Sequence, residues 1–153
     1  MVDPYGRKVT GLRIALTSRC NLRCLYCHHE GEVEPNGEIS DEMVVGVARA
    51  AAALGVRSIK LTGGEPLLRR GLAGLIAQMP QQMKISLTTN GIYLAQQADE
   101  LVRAGLDRVN VSLDSLQPEV YRAVTGGREG DLERVLQGLD AAVEAGLLPI
   151  KLS

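Results

Sequence analysis

Ala53-Leu54-Gly55-Val56-Arg57-Ser58-Ile59-Lys60-Leu61-Thr62-Gly63-Gly64-Glu65-Pro66 holds a helix end, a strand and a glycine-rich turn in one run. Gly55 stops the helix as the residue that accepts a left-handed backbone, and an apolar strand begins at once. The same helix, glycine, strand junction recurs at Ala104-Gly105-Leu106 and Ala145-Gly146-Leu147. A hydrophobic period that switches repeatedly between about 3.6 and 2 marks alternating helices and strands, and so a parallel α/β sheet. The pattern predicts four complete units and a fifth strand: strands at 12–17, 56–61, 84–88 and 108–113, and one starting near Pro149. Leu12, Ile14 and Leu16 share one face of the first strand. The first helix starts at the N-cap Ser40 and presents Met43, Val47, Ala50 and Leu54 to the core. A later one uses Leu94, Ala98, Leu101 and Val102, and the last uses Leu132, Val135, Leu136, Leu139 and Val143. Asp114 and Ser115 are expected to cap a short helix before Val124.

With 153 residues the chain forms one domain at most, able to remove roughly 70% of its unfolded surface from water. Apolar residues at 45% and charged residues at 23% exclude disordered and collagen-like classes. Seventeen basic and eighteen acidic side chains leave a net charge of -1, and Trp and Phe are absent. Neither a nucleic acid nor a membrane is therefore expected as a partner. The absence of a signal peptide or long apolar run, with clustered thiols, points to a reducing cytoplasm.

The connection from Ser18 to Ile39 far exceeds the usual two to six residues, and loops of that size commonly bind something. It holds all three cysteines, Cys20, Cys24 and Cys27. Their C-x3-C-x2-C spacing lets three thiolates curl around one inorganic core while leaving a four-iron cluster one ligand short, so that an iron can take an external ligand. Arg13, Arg19 and Arg23 are expected to offset the charge and depress the thiol pKa values. A zinc site completed by His28 or His29, or thiols that are unligated or disulfide-linked, are the alternatives. In wound parallel sheets ligands lie at the carboxyl ends of strands, so Thr62 to Pro66, Thr88 to Gly91 and Ser112 to Asp114 should meet the cysteines at one mouth. Gly63 and Gly64 would let backbone approach a ligand, or simply form a strand-to-helix turn with Pro66 at its first helical position.

The run Cys20-Asn21-Leu22-Arg23-Cys24-Leu25-Tyr26-Cys27 resembles the cluster motif of the radical S-adenosylmethionine (SAM) superfamily, and Gly63-Gly64-Glu65-Pro66 resembles that family's second signature. Leu61 to Arg69, Leu87 to Gly91 and Arg108 to Asp114 are most similar to the branch of GTP 3′,8-cyclases that begins molybdenum cofactor biosynthesis. The resemblance implies an incomplete parallel (β/α) barrel, four and a half units of an expected six. It implies a [4Fe-4S] cluster on Cys20, Cys24 and Cys27, with S-adenosyl-L-methionine chelated to the unique iron and cleaved to a 5′-deoxyadenosyl radical. Gly63, Gly64 and Glu65 would hold the methionine ammonium, and Thr88 and Ser112 the carboxylate and ribose. Tyr26 would line the adenine pocket or shield the cluster, and Asn110 would join the cofactor-binding set, a polar strand position facing solvent or the barrel mouth being its other reading.

The same resemblance gives GTP as substrate, converted to (8S)-3′,8-cyclo-7,8-dihydroguanosine 5′-triphosphate. Arg13 takes the place of a triphosphate contact, and Lys60 keeps half of a basic pair whose other position is Ser58. An electron donor such as flavodoxin or ferredoxin is implied, and a homodimer would cover an open edge. The C-terminal region that carries a second cysteine trio in complete cyclases is absent, so residues 1–153 read as the truncated N-terminal part of the core domain. Another radical SAM enzyme, an activase or peptide-modifying one, and a non-catalytic Cys3His zinc module are the alternatives.

Overall fold

A computed structural model describes residues 4–27 and 38–153. Strands β1 (Gly11–Ala15), β2 (Ser58–Thr62), β3 (Lys84–Thr89), β4 (Arg108–Val111) and β5 (Lys151–Leu152) form one parallel sheet in the order β1-β2-β3-β4-β5. Helices α1 (Asp41–Ala53), α2 (Leu72–Ala77), α3 (Leu94–Arg103), α4 (Pro118–Thr125) and α5 (Asp131–Glu144) lie between them, with a single 3₁₀ turn at Pro66–Leu68. The sheet does not close, so it is the expected partial barrel. Each expected strand is present with ends shifted by a residue or two, and β5 begins two residues after Pro149. Among the described residues no helix is long and apolar enough to cross a membrane.

Period-two alternation decides which side of the sheet the helices cover. Ile14, Leu16, Ile59, Leu61, Ile85, Leu87, Val109 and Val111 are buried on one face. The opposite parity carries the row Arg13, Lys60, Ser86, Arg108, paired strand to strand, and above it Thr62, Thr88 and Asn110. Polar side chains thus line the concave side, where a ligand can meet them. Gly55, Gly105 and Gly146 all take positive φ, as the three junctions require.

Ser40 does cap α1, its hydroxyl accepting from Met43 N at 3.2 Å. The core face of α1 differs from expectation: Val44, Val45, Ala48 and Ala51 are buried, whereas Met43 and Leu54 are about 60% exposed. Apolar residues run around most of this helix, and the smaller ones let it sit close to the sheet. In α5, Leu132, Val135 and Ala142 are buried while Leu136 and Val143 are exposed. Gly138 explains the rotation, because its missing Cβ leaves room for Gly91 O and Leu94 Cβ where α3 and α5 cross. Leu94, Ala98 and Leu101 face the core as expected.

Asp114 and Ser115 do not cap α4, whose N-cap is Gln117 without a side-chain bond. Ser115 instead accepts from Gln117 N, and Asp114 is taken by Tyr26.

Candidate functional site

A cavity of about 330 Å³ opens at the carboxyl ends of β1 to β4. Cys20, Cys24, Cys27, Tyr26, Gly63, Gly64, Thr88 and Ser112 all line it, together with Thr62, Thr89 and Asn90. Segments far apart in sequence therefore converge on one mouth. Among the described residues no three His, Cys, Asp or Glu side chains gather around a point for a single ion. The three thiols are free and line the cavity. His28 and His29, the zinc alternative's remaining ligands, lie outside the described residues.

The cysteine loop is held at both ends by the segment after β2. Gly64 N donates to Thr17 O, and Glu65 N to Arg19 O, each at 2.7 Å. A Cβ on Gly63 would meet Thr17 O and one on Gly64 would meet Arg19 O, both backbone atoms that cannot step aside. The glycines thus make room first for the cysteine loop itself. The buried Arg69 donates to Leu16 O at 2.9 Å, to Ile39 O at 2.7 Å and to Asp41 Oδ1 at 2.6 Å, so one guanidinium joins the chain before the loop to the chain after it. Arg19 adds a second tie, to Glu38 at 2.6 Å and Leu68 O at 3.2 Å. Further along, Arg23 N and Leu25 N donate to Thr125 O and Val124 O at the end of α4, satisfying carbonyls that a helix terminus leaves unpaired.

The expected lowering of the thiol pKa values is not found. Desolvation is the largest influence on the Cys20 and Cys24 thiols and pushes both up. Arg19 is committed to Glu38, and Arg13 lies lower on the concave face. Tyr26 reaches across the cavity mouth, its hydroxyl donating to Asp114 Oδ2 at 2.9 Å. Desolvation, and then that bond, hold its hydroxyl above the ordinary range.

Two residues of the expected cofactor set, Glu65 and Asn110, are not among those that line this cavity. Glu65 is 1% exposed, and its carboxylate accepts from Leu67 N, Thr89 Oγ1 and Asn90 N at 2.7 to 2.9 Å, turned into the protein behind the cavity wall. Burial prevails and holds its carboxyl above the ordinary range, although those three donors pull it down. Asn110 is buried and borders a lower cleft with Arg13, Lys60, Lys84, Arg108 and Lys151. Lys151 belongs to this basic group through its register with Asn110; a two-residue strand gave no alternation from which to read that. Lys84 is paired with Asp107 at 2.7 Å.

The profile of the radical SAM superfamily matches residues 14–152. The chain is 54% identical over its whole length to a probable GTP 3′,8-cyclase of Methanosarcina acetivorans, covering 47% of that protein. It is 55% identical to one of Archaeoglobus fulgidus over 99% of its own length and 50% of the relative's. The chain thus spans about half the length of these curated relatives. Among solved structures, Streptococcus suis SuiB bound to S-adenosylmethionine superposes with a TM-score of 0.79 at 21% identity, over 94% of this chain and 33% of that one. The enzyme anSMEcpe with bound AdoMet gives 0.71 at 20% identity, over 93% and 41%.

Proposed function

Because this chain belongs to the radical SAM superfamily, we propose that its cavity holds a [4Fe-4S] cluster on Cys20, Cys24 and Cys27, with S-adenosylmethionine beside it. We further propose that, within a protein about twice this length, it serves as a GTP 3′,8-cyclase of molybdopterin synthesis. The observation that carries the reading is the convergence of three free thiols with Gly63, Gly64, Thr88 and Ser112 on one cavity, directly above a basic cleft on the same face of the sheet.

When bound, the cluster and S-adenosylmethionine supply reductive cleavage of the sulfonium and a radical that abstracts hydrogen. The chain's own residues do the rest by placement. Cys20, Cys24 and Cys27 would hold the cluster by their thiolates, and three protein ligands to four irons would leave a place for the methionine end of the cofactor. The Gly63-Gly64 backbone runs without side chains along one wall, and Thr88 and Ser112 present hydroxyls at the ends of β3 and β4 that suit a carboxylate and a ribose. Below them Arg13, Lys60 and Lys151 offer cationic groups to a triphosphate, the lysines as point charges and the arginine as a fork. Glu65 and Asn110 act from behind these contacts, Glu65 by bracing the end of β3. An electron donor such as flavodoxin or ferredoxin, a cytoplasmic setting and a homodimer belong to the same reading.

Anaerobic reconstitution tests it. About four irons and four sulfides per chain, with an electron resonance signal altered by S-adenosylmethionine, are expected. One zinc held by the three cysteines in place of iron would overturn it.

A further inference from the structure

Asn21 and Asn90 are 69 positions apart, yet their side-chain amides meet: Asn90 Nδ2 donates to Asn21 Oδ1 at 2.9 Å. Asn90 is fixed from two other directions. Its Oδ1 accepts from Ile92 N at 3.1 Å, closing a turn on its own backbone, and its N–H donates to the buried Glu65 carboxylate at 2.7 Å. The remaining amide hydrogens are thereby aimed at the cysteine loop. On the loop side, Asn21 directly follows Cys20, whose sulfur accepts from Leu22 N at 3.4 Å. The loop's backbone is tied at Arg19 to Glu65 and at Arg23 to Thr125. Between those ties, Asn21 reaches the sheet through Asn90.

We infer that this amide clasp, braced by Glu65, fixes Cys20 in the cavity wall and makes Asn21 and Asn90 positioning residues for the first thiolate. The inference rests on the cluster reading above for its purpose, but the clasp itself is a property of the unloaded chain. Partners behind metal ligands are worth about 10–100-fold in affinity when lost. A thiolate on a bare loop needs such a partner most, since sites on loops are held less well than sites on strands.

Asparagine-to-aspartate changes are nearly isosteric and test the donor logic. In Asn21→Asp the new carboxylate still accepts from Asn90. In Asn90→Asp the Ile92 contact survives, and Asn21 turns its own amide to donate. In the double variant two carboxylates face one another with no donor between them. Two measurements are made on all four chains: alkylation of each cysteine in the unloaded protein, resolved by peptide mass spectrometry, and S-adenosylmethionine affinity after reconstitution. Each single variant is expected to stay within about threefold of wild type. The double variant should shift the alkylation rate of the already exposed Cys20 by more than the two single effects multiplied, with Cys24 unchanged, and bind the cofactor about tenfold more weakly.

Should the double variant unfold, Asn21→Ala replaces it, with the same change confined to Cys20 expected, because the exposed thiol gains freedom to move. Cys20 rates that simply multiply the single effects, or Cys20 and Cys24 rising together, would overturn the clasp. Failure of the wild-type chain to load iron would strike the cluster reading alone, because the alkylation pattern would still stand.

Discussion

Arg69→Met removes the guanidinium that joins the two ends of the cysteine loop while keeping most of its aliphatic volume. Arg69 has a side chain 4% exposed and three bonds of 2.6 to 2.9 Å. The bonds to Leu16 O and Ile39 O are made by a charged donor, worth about 1.5–3 kcal/mol each, and Leu16 O is left buried without it. Asp41 is 46% exposed, so its ion pair adds at most about 1 kcal/mol after solvent screening. A loss of about 4 kcal/mol follows, and at about 2–4 °C per kcal/mol for a chain of this size the unloaded protein should melt roughly 8–16 °C lower. Arg69→Lys keeps the charge but not the fork, so it should recover about half of the loss. Circular dichroism melts of the three chains measure this directly. A Met variant that melts within about 2 °C of wild type would show that the loop ends are held by something else.

Other outcomes follow from the same contacts. Gly64→Ala should lower both iron content and cofactor affinity, since the added methyl presses on the Arg19 backbone at a cost of about 1–3 kcal/mol; full iron loading in that variant would contradict it. Cys24→Ser should abolish the brown absorbance of the reconstituted chain, a hydroxyl being a poor ligand for this cluster, and retained four-iron absorbance would refute the ligand set. Burial opposes the charge on Glu38, but the bonds from Arg19 prevail and lower its carboxyl from the ordinary 4.5. Its contribution to stability is therefore present above pH 4.5 and lost as the pH falls through the lowered value. The wild type should out-melt Glu38→Gln by a few degrees at neutral pH, about 1 kcal/mol for an exposed pair. That gap should close in acid, and a gap that widens there would reverse the sign.

What could be read in the sequence was whatever depends on neighbours along the chain. The cysteine spacing, the three glycine junctions and the Ser40 cap are all settled within a few residues, and each is found where expected. The strand-end residues Thr88 and Ser112 followed from topology, because a parallel sheet brings carboxyl ends together. What stayed hidden depends on partners tens of positions away. Nothing local distinguishes the Met43 face of α1 from the Val44 face. Nothing in Glu65 itself says whether its carboxylate turns toward a ligand or toward Thr89 and Asn90. Sequence proximity of Arg19 to Cys20 suggested a thiol–arginine interaction, yet Glu38 on the far side of the loop captures the guanidinium.

The segment from Gly63 to Arg69 shows why the cavity forms where it does. Its glycines admit the loop backbone, Glu65 fastens the end of β3, and Arg69 fastens both ends of the loop, all from one turn after β2. Both ionisable side chains are buried, and such a polar group is tolerable in the interior only when its bonds are complete. The loop and the β3 end are the partners that complete them. Releasing the loop would strand the Arg69 guanidinium, and releasing the β3 end the Glu65 carboxyl, so opening the cavity wall leaves buried polar groups unpaired in addition to the lost contacts. The connection between β1 and α1 can in this way hold three thiols in one place although residues 20–27 lie outside any helix or strand. It follows that disturbing this short turn should damage the site more than equal changes in the exposed face of α1, where Met43 and Leu54 contact solvent.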